Sequence, residues 1–356
     1  MKIAIVGAGI MGRLLAFTFC NAGYRIVLFD QDSDDGNKSC SMAAAGLLTP
    51  VSELERSDLL VCHMGQESIH NHWQTIIDQL DPALYFRKSG SLVVSHPRDK
   101  AELLRFMACI EKKIGAHHYQ KLQPSTLQQL EPEMTKFEHA YYFPNEAHLD
   151  NQAIFTKLAD YLRQHQVAWH THTFVDEVRP YQVRVGGTQM RFDKVFDCRG
   201  LGAKSAFGKL QGIRGELLWL HAPDVHLHRP VRFLHPRYSL YVVPREHNLY
   251  LVGASEIHAE DTSPISVRSM LELLTAAYYL HAGFAEARIQ KTVTHCRPVL
   301  PNYLPAIRYR DGLIAINGLY RHGFLLAPLL AAEIRRYTEQ GITALSYPQL
   351  WRSDDD

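Results

Sequence analysis

A mixed α/β (α+β) fold, one part on a parallel sheet and another mostly antiparallel, is predicted by three observations. The amino terminus reads as strand, glycine turn, helix and strand; short runs of strand character fill the middle; and the chain has 356 residues. Single cores stop growing at roughly 250–300 residues, so two domains or one large core with an appended lobe are expected. Lys+Arg 38 against Asp+Glu 37 leaves a formal net charge of +1, and 46% of residues are hydrophobic. This composition suits a packed globular protein and gives no electrostatic reason to bind nucleic acid or an anionic membrane.

The first element is the β-branched run Lys2-Ile-Ala-Ile-Val6, which leads into Gly7-Ala-Gly9-Ile-Met-Gly12. Leu14, Leu15, Phe17 and Phe19 follow on a segment with no breaker before Gly23, which suits a helix C-cap, and Tyr24 to Phe29 forms a second strand ending at Asp30. The unit is Rossmann-like. Gly7 permits the tight turn, Gly9 lets backbone approach a pyrophosphate, and Gly12 lets helix and strand lie close. Phosphates would sit at the helix amino terminus, and Asp30 would accept hydrogen bonds from a ribose. This glycine spacing also explains an apolar start that resembles a signal peptide. It suits a nicotinamide hydroxyacid dehydrogenase as well as a flavoprotein.

The acidic stretch 31–36 reads as a solvated loop that would repel a ribose 2′-phosphate, which argues against NADP. Ser39 to Pro50 then supplies small residues, Ser41-Met-Ala-Ala-Ala45-Gly46-Leu47 among them, where close helix packing is the bland explanation. Further on, strand-like runs are His139 to Phe143, Glu216 to Leu220, Tyr238 to Val243, Asn248 to Val252 and Lys291 to His295, with Glu246-His-Asn as a hairpin turn. Val267 to Tyr279 and Leu329 to Gln340 carry helical spacing.

Several segments, in order, resemble the D-amino-acid oxidase and glycine oxidase family of FAD enzymes, and most of all its thiamine-pathway (ThiO-like) glycine oxidases. Ser39 to Pro50 resembles the second flavin-contacting motif. Lys88 to Val94 is similar to an early strand of the substrate domain, and Leu130 to Met134 with Asn145 to Asp150 to the return into the cofactor domain. Phe174 to Val178 is similar to the strand whose backbone meets the adenine. Cys296-Arg297-Pro298 with Leu304 to Ile307 resembles the family's R-P segment, and Asn317 to Pro328 its last flavin-binding segment. The likeness extends from residue 3 to about residue 335.

The resemblance implies a discontinuous FAD-binding domain over 1–85, 145–210 and 295–350, and a substrate-binding domain over 86–144 and 211–294. It implies non-covalent FAD, with contacts from Gly7, Gly9, Ile10, Met11 and Gly12, from Asp30 and Gln31, and from Cys40, Ser41, Ala45, Gly46 and Leu47. Val175, Gly200, Leu319, Tyr320, Arg321, His322, Gly323, Phe324 and Leu325 complete that set. Arg297 would bind a substrate carboxylate, Tyr241 would donate to the same group, and Arg321 would line the substrate cavity. The implied reaction is oxidative deamination of a glycine- or sarcosine-like amine: hydride passes to flavin N5, the imine hydrolyses, and oxygen is reduced to hydrogen peroxide, with thiamine thiazole biosynthesis as a setting.

Three alternatives stay open: a D-amino-acid dehydrogenase of the same fold using another acceptor, an NAD-dependent hydroxyacid dehydrogenase, and a non-catalytic flavin-binding interaction protein. Departures from the family pattern are Asp197-Cys-Arg199-Gly200 with Lys204, expected to alter contacts near the pyrophosphate, and Asn317-Gly-Leu319. The six scattered cysteines read as reduced thiols, implying a cytoplasmic protein, and no run reaches the roughly 20 residues of a membrane span. His170-Thr-His172 and the His221–His228 stretch lack metal-ligand spacing, so no metal is expected. The expected partners are a small amino acid and molecular oxygen or another electron acceptor, with a homo-oligomer left open.

Overall fold

A computed structural model describes residues 1–235 and 238–353. Its amino-terminal strand β1 (Lys2–Val6) lies in the middle of a seven-stranded sheet. β2 (Arg25–Phe29) and the strand Lys194–Asp197 flank it, both parallel, and Ala168–His170 closes that edge beyond β2. On the other side follow Leu313–Asn317, Ala306–Arg310 and Trp351–Ser353. Because strand side chains alternate, β1 feeds two cores. Ile3 and Ile5 pack toward α1 (Ile10–Asn21) and the helix Gly323–Gln340, whereas Ala4 and Val6 pack toward Val175, Val183 and Phe192 on the opposite face. That second face is covered by the antiparallel three-stranded sheet of Glu177–Arg179, Gln182–Val185 and Thr188–Arg191.

The other lobe is an eight-stranded sheet running Arg288–Val299, Gln211–His221, Leu249–Gly253, Tyr238–Pro244, Val231–His235, Ser91–Ser95, Ala140–Phe143 and Gln120–Leu122. All of its pairings are antiparallel except Val231–His235 with Ser91–Ser95. The five expected strands are present, two of them far longer than expected. Glu216 to Leu220 is the centre of Gln211–His221, whose Arg214 and Glu216 satisfy one another at 2.6 Å while buried. The hairpin turn is as read: His247 and Asn248 take φ of 59° and 56°, the left-handed pair of a type I′ turn. Phe174 to Val178 corrects an expectation, since the strand begins only at Glu177 and 174–176 is loop.

The helix expected from Leu329 starts six residues earlier, at Gly323, and runs through Pro328. A proline inside a helix removes one N–H and leaves the carbonyl four residues back without its partner. Here that carbonyl belongs to Phe324, and the indole Nε1 of Trp73 donates to it at 3.0 Å. Among the described residues no helix is long and apolar enough to cross a membrane.

Glu146 ties the lobes together. Its buried carboxylate accepts from Val51 N at 2.9 Å, Ser52 N at 2.6 Å and Ser52 Oγ at 2.8 Å, and also from the Ser91 hydroxyl. Burial pushes this carboxyl up to about 7 even though those donors favour its ionised form. Glu146→Ala would leave two amides and two hydroxyls without an acceptor. We expect it to cost about 3 kcal/mol in chemical denaturation, with Glu146→Gln, which retains an acceptor for both amides, costing markedly less.

Candidate active site

One cavity of about 1000 Å³ runs from the turn after β1 to the face of the eight-stranded sheet. This is the upper end of the usual range of about 300–1,000 Å³ for small-molecule sites, and suits an extended ligand. At its β1 end the three glycines differ in what they do. Gly7 has φ of +98°, and a Cβ there would stand 2.6 Å from the Cys198 carbonyl oxygen. A Cβ on Gly12 would stand 1.9 Å from the Gly7 oxygen, so this glycine packs helix on strand and lies outside the cavity wall. Gly9 faces the cavity, with nothing nearer to a Cβ than Ser41 Oγ at 3.5 Å. That hydroxyl accepts from Ile10 N at 2.9 Å, joining the small-residue segment to the start of α1.

Asp30, at the end of β2, lines the cavity and accepts from Asp32 N at 2.7 Å and from Ala8 N. Burial raises its pKa against the pull of those two amides. The acidic loop is not simply solvated. Asp32 is buried and accepts from Ser33 N at 2.9 Å and Lys38 N at 2.6 Å. Arg13, which the sequence reading passed over, sits beneath this loop, fully buried. It donates to Ala8 O at 2.9 Å, Phe155 O at 2.8 Å and Asp34 O at 2.6 Å, with its guanidinium 3.5 Å from the Phe155 ring centroid. Burial, opposed by Asp30 and Asp34, lowers it to about 9. The available signal was an arginine directly after Gly12 in an otherwise apolar helix start.

The opposite end collects charge. Tyr241, Arg297 and Arg321 all line the cavity, joined by Glu53, Arg56, Arg232 and Glu256, none of which had been singled out. Glu53 accepts from Arg232 Nη1 at 2.6 Å and Arg321 Nη1 at 3.3 Å. Desolvation opposes its ionisation, yet Arg232 and Arg321 hold it down to about 2. Arg321 also binds Glu256, whose other oxygen takes the Tyr320 hydroxyl at 2.6 Å. Arg297 differs. It reaches only the Ser255 carbonyl, at 3.3 Å, and has no carboxylate within ion-pair distance among the described residues. Its guanidinium lies over Gly215 of the paired strand, where a Cβ would stand 2.1 Å from Nη2. Burial pushes the Tyr241 phenol up, which keeps it a donor.

The remaining expected residues also line this cavity: those at 31, 40–41, 45–47, 175, 200 and 319–325, together with Ile10 and Met11. The departures at 197–204 are internally satisfied. Arg199 forks onto Asp197 at 2.9 and 2.7 Å, and Lys204 pairs with Glu260 at 2.6 Å, so neither charge is free for a pyrophosphate. Asn317 donates to Gly200 O at 2.8 Å and accepts from Gly318 N at 2.9 Å, bracing the segment before Tyr320.

A family model described as FAD dependent oxidoreductase (DAO) matches residues 2–336. A Rhizobium etli protein assigned the name thiamine biosynthesis oxidoreductase ThiO is 35% identical over 96% of this chain and 98% of its own length. The crystal structure of glycine oxidase from Geobacillus kaustophilus superimposes with a TM-score of 0.83 at 21% identity, covering 98% of both chains. That of iminodiacetate oxidase from Chelativorans sp. gives 0.80 at 20% identity over 99% of both.

Two expectations follow. Arg13→Lys keeps the charge but not the planar fork that spans three carbonyls, so the purified variant should retain less bound nucleotide by absorbance and melt at a lower temperature; parental values for both would contradict this. His322 is buried and its pKa is lowered to about 4, chiefly by burial, so unfolding below its ordinary value of 6.5 takes up a proton. Stability held at neutral pH is therefore lost on acidification through this group, and His322→Gln should reduce the loss between pH 7 and 5 by about 2 kcal/mol relative to the parent.

Proposed function

The chain belongs to the DAO family of FAD-dependent oxidoreductases, and from that membership we propose that it oxidises a small amino acid or N-methyl amino acid, of glycine or sarcosine type, at the carbon bearing the amine. FAD is its cofactor, and the cavity fits that group. Gly9 presents open backbone at the amino terminus of α1, where helix geometry leaves amides without intrahelical acceptors, and Asp30 presents its carboxylate at the end of β2. In this reading the start of α1 would hold the pyrophosphate, Asp30 the ribose, and the segments 45–47 and 319–325 the isoalloxazine. Cys296 points its thiol at the Asp261 carbonyl, 3.5 Å away, which supports a flavin held without a bond to that sulfur.

Bound FAD would supply the two-electron acceptor for the α-hydrogen of the substrate, which would leave as hydride. The side chains then have to orient the amine and keep water out. The observation that carries the proposal is Arg297, a guanidinium within the cavity that has no carboxylate within ion-pair distance among the described residues. A substrate carboxylate laid on its fork by two parallel hydrogen bonds has its direction fixed as well as its charge. Tyr241 would donate to the same carboxylate from the neighbouring cavity wall. Since the α-hydrogen leaves with its electron pair, no strong base is required on that carbon. The imine would then hydrolyse in water. We further propose oxygen as the acceptor and hydrogen peroxide as the product; a relative named for thiamine biosynthesis supports thiazole formation as the use of the imine.

Anaerobic addition of glycine and sarcosine should bleach the flavin, and readmitted air should restore it with release of peroxide. Bleaching that air does not reverse would replace oxygen by another acceptor, and a flavin that no small amine bleaches would overturn the proposal. Arg297→Ala should raise the KM for the amine by about two to three and a half decades, the equivalent of roughly 3–5 kcal/mol for one side of a buried pair, with bound FAD retained. Unchanged KM would refute its role.

A further inference from the structure

The segment after the strand Leu249–Gly253 crosses the cavity beside Arg297 and inserts an acid into it. Ser255 is anchored to Glu216 through N to the carbonyl at 3.1 Å and through Oγ to Oε2 at 2.9 Å, and its own carbonyl accepts from Arg297. The next side chain is Glu256. Its Oε1 takes the Tyr320 hydroxyl, and its Oε2 takes Arg321 and, at 3.2 Å, Arg56 Nη1.

Two guanidinium groups and a phenol converging on one carboxylate form the donor set that a bound carboxylic acid would seek. Arg56, Tyr320 and Arg321 all line the cavity, so this clamp lies in the same space as Arg297. The chain fills it with its own carboxylate. Burial works against ionisation of Glu256, but Arg321 and the Tyr320 hydroxyl hold it below the usual carboxylate range. Arg321 is spoken for on its other side by Glu53. Arg297, with no carboxylate at ion-pair distance among the described residues, is thus open to an incoming acid, with a fixed negative charge nearby.

On the reading of Arg297 as the carboxylate ligand, we propose that Glu256 is a specificity-determining residue: it occupies a second anion clamp next to Arg297 and so restricts the site to amines bearing one carboxylate. A substrate with a second acidic group meets a filled clamp and a like charge. Removing the Glu256 carboxylate turns Arg56, Arg321 and the Tyr320 hydroxyl into a subsite for that second acid.

The test uses two acids that cannot be oxidised as amines and differ by one carboxylate, methoxyacetate and diglycolate. Each is titrated into the FAD-bound protein and read by perturbation of the flavin spectrum. The parent should bind methoxyacetate the more tightly, and Glu256→Ala should move the ratio of the two dissociation constants by at least about tenfold toward diglycolate. Glu256→Asp, which keeps the charge, should keep the parental order. If Glu256→Ala does not retain FAD, the uncharged isostere Glu256→Gln provides the same ratio. An unchanged ratio in the uncharged variant, a parent that binds diglycolate as tightly as methoxyacetate, or no perturbation by either acid overturns the proposal. Amine bleaching is read separately: a shifted ratio in a protein that no amine bleaches would overturn the oxidation and leave the role of Glu256 standing.

Discussion

A charge held away from water must be matched by an opposite charge or by hydrogen bonds, and this constraint governs the charged end of the cavity, the proposed substrate end. Among the guanidinium groups that line the cavity, four are those of Arg56, Arg232, Arg297 and Arg321. Glu53 bridges Arg232 and Arg321, and Glu256 bridges Arg321 and Arg56, so three of the four are neutralised within the protein. The fourth, Arg297, lies across Gly215 and donates to the Ser255 carbonyl, with no carboxylate at ion-pair distance among the described residues. The functional reading follows from that group.

The backbone is arranged to deliver it. Arg297 sits on a strand of 12 residues that pairs along its length with Gln211–His221, and the register sets Gly215 opposite His295, two residues from the arginine, so that there is room for the guanidinium. Tyr241 enters from the other side, on a strand whose register pairs it with Gly253, just before the segment that carries Glu256. The cofactor end obeys a different constraint, close approach. Gly7 and Gly12 are required by backbone atoms less than 3 Å from any Cβ, and Arg13 joins the turn, the acidic loop and the helix Asn151–Gln164 through one hydrogen bond to each. Glu146 steadies the charged end, because the amides it holds immediately precede Glu53.

What the sequence disclosed was local. The β1–α1–β2 unit was legible because its signals, glycine spacing, β-branched runs and an acid at the end of β2, all lie within thirty residues. Arg297, Tyr241 and Arg321 could be named because short motifs carry them. Long strands were underestimated where charged residues such as Arg214 and Glu216 interrupt the apolar pattern, since their mutual pairing appears only in the fold. The helix at Gly323 was truncated because Pro328 reads as a barrier until Trp73 is seen to take the freed carbonyl. Glu53, Arg232 and Glu256 were invisible for the same reason: their partners lie far away in the chain, as with Glu53 and Arg321, 268 residues apart. A lone glutamate in a loop gives no sign that it neutralises two arginines.

The central claim is that Arg297 is the guanidinium that receives an incoming carboxylate. A crystal structure of the FAD-bound protein with methoxyacetate tests it most directly. The account predicts the carboxylate paired with the Arg297 fork, within hydrogen-bond reach of the Tyr241 hydroxyl, with Glu256 still on Arg321. A carboxylate found on Arg321 with Glu256 displaced, or an Arg297 with no contact to the ligand, would contradict it.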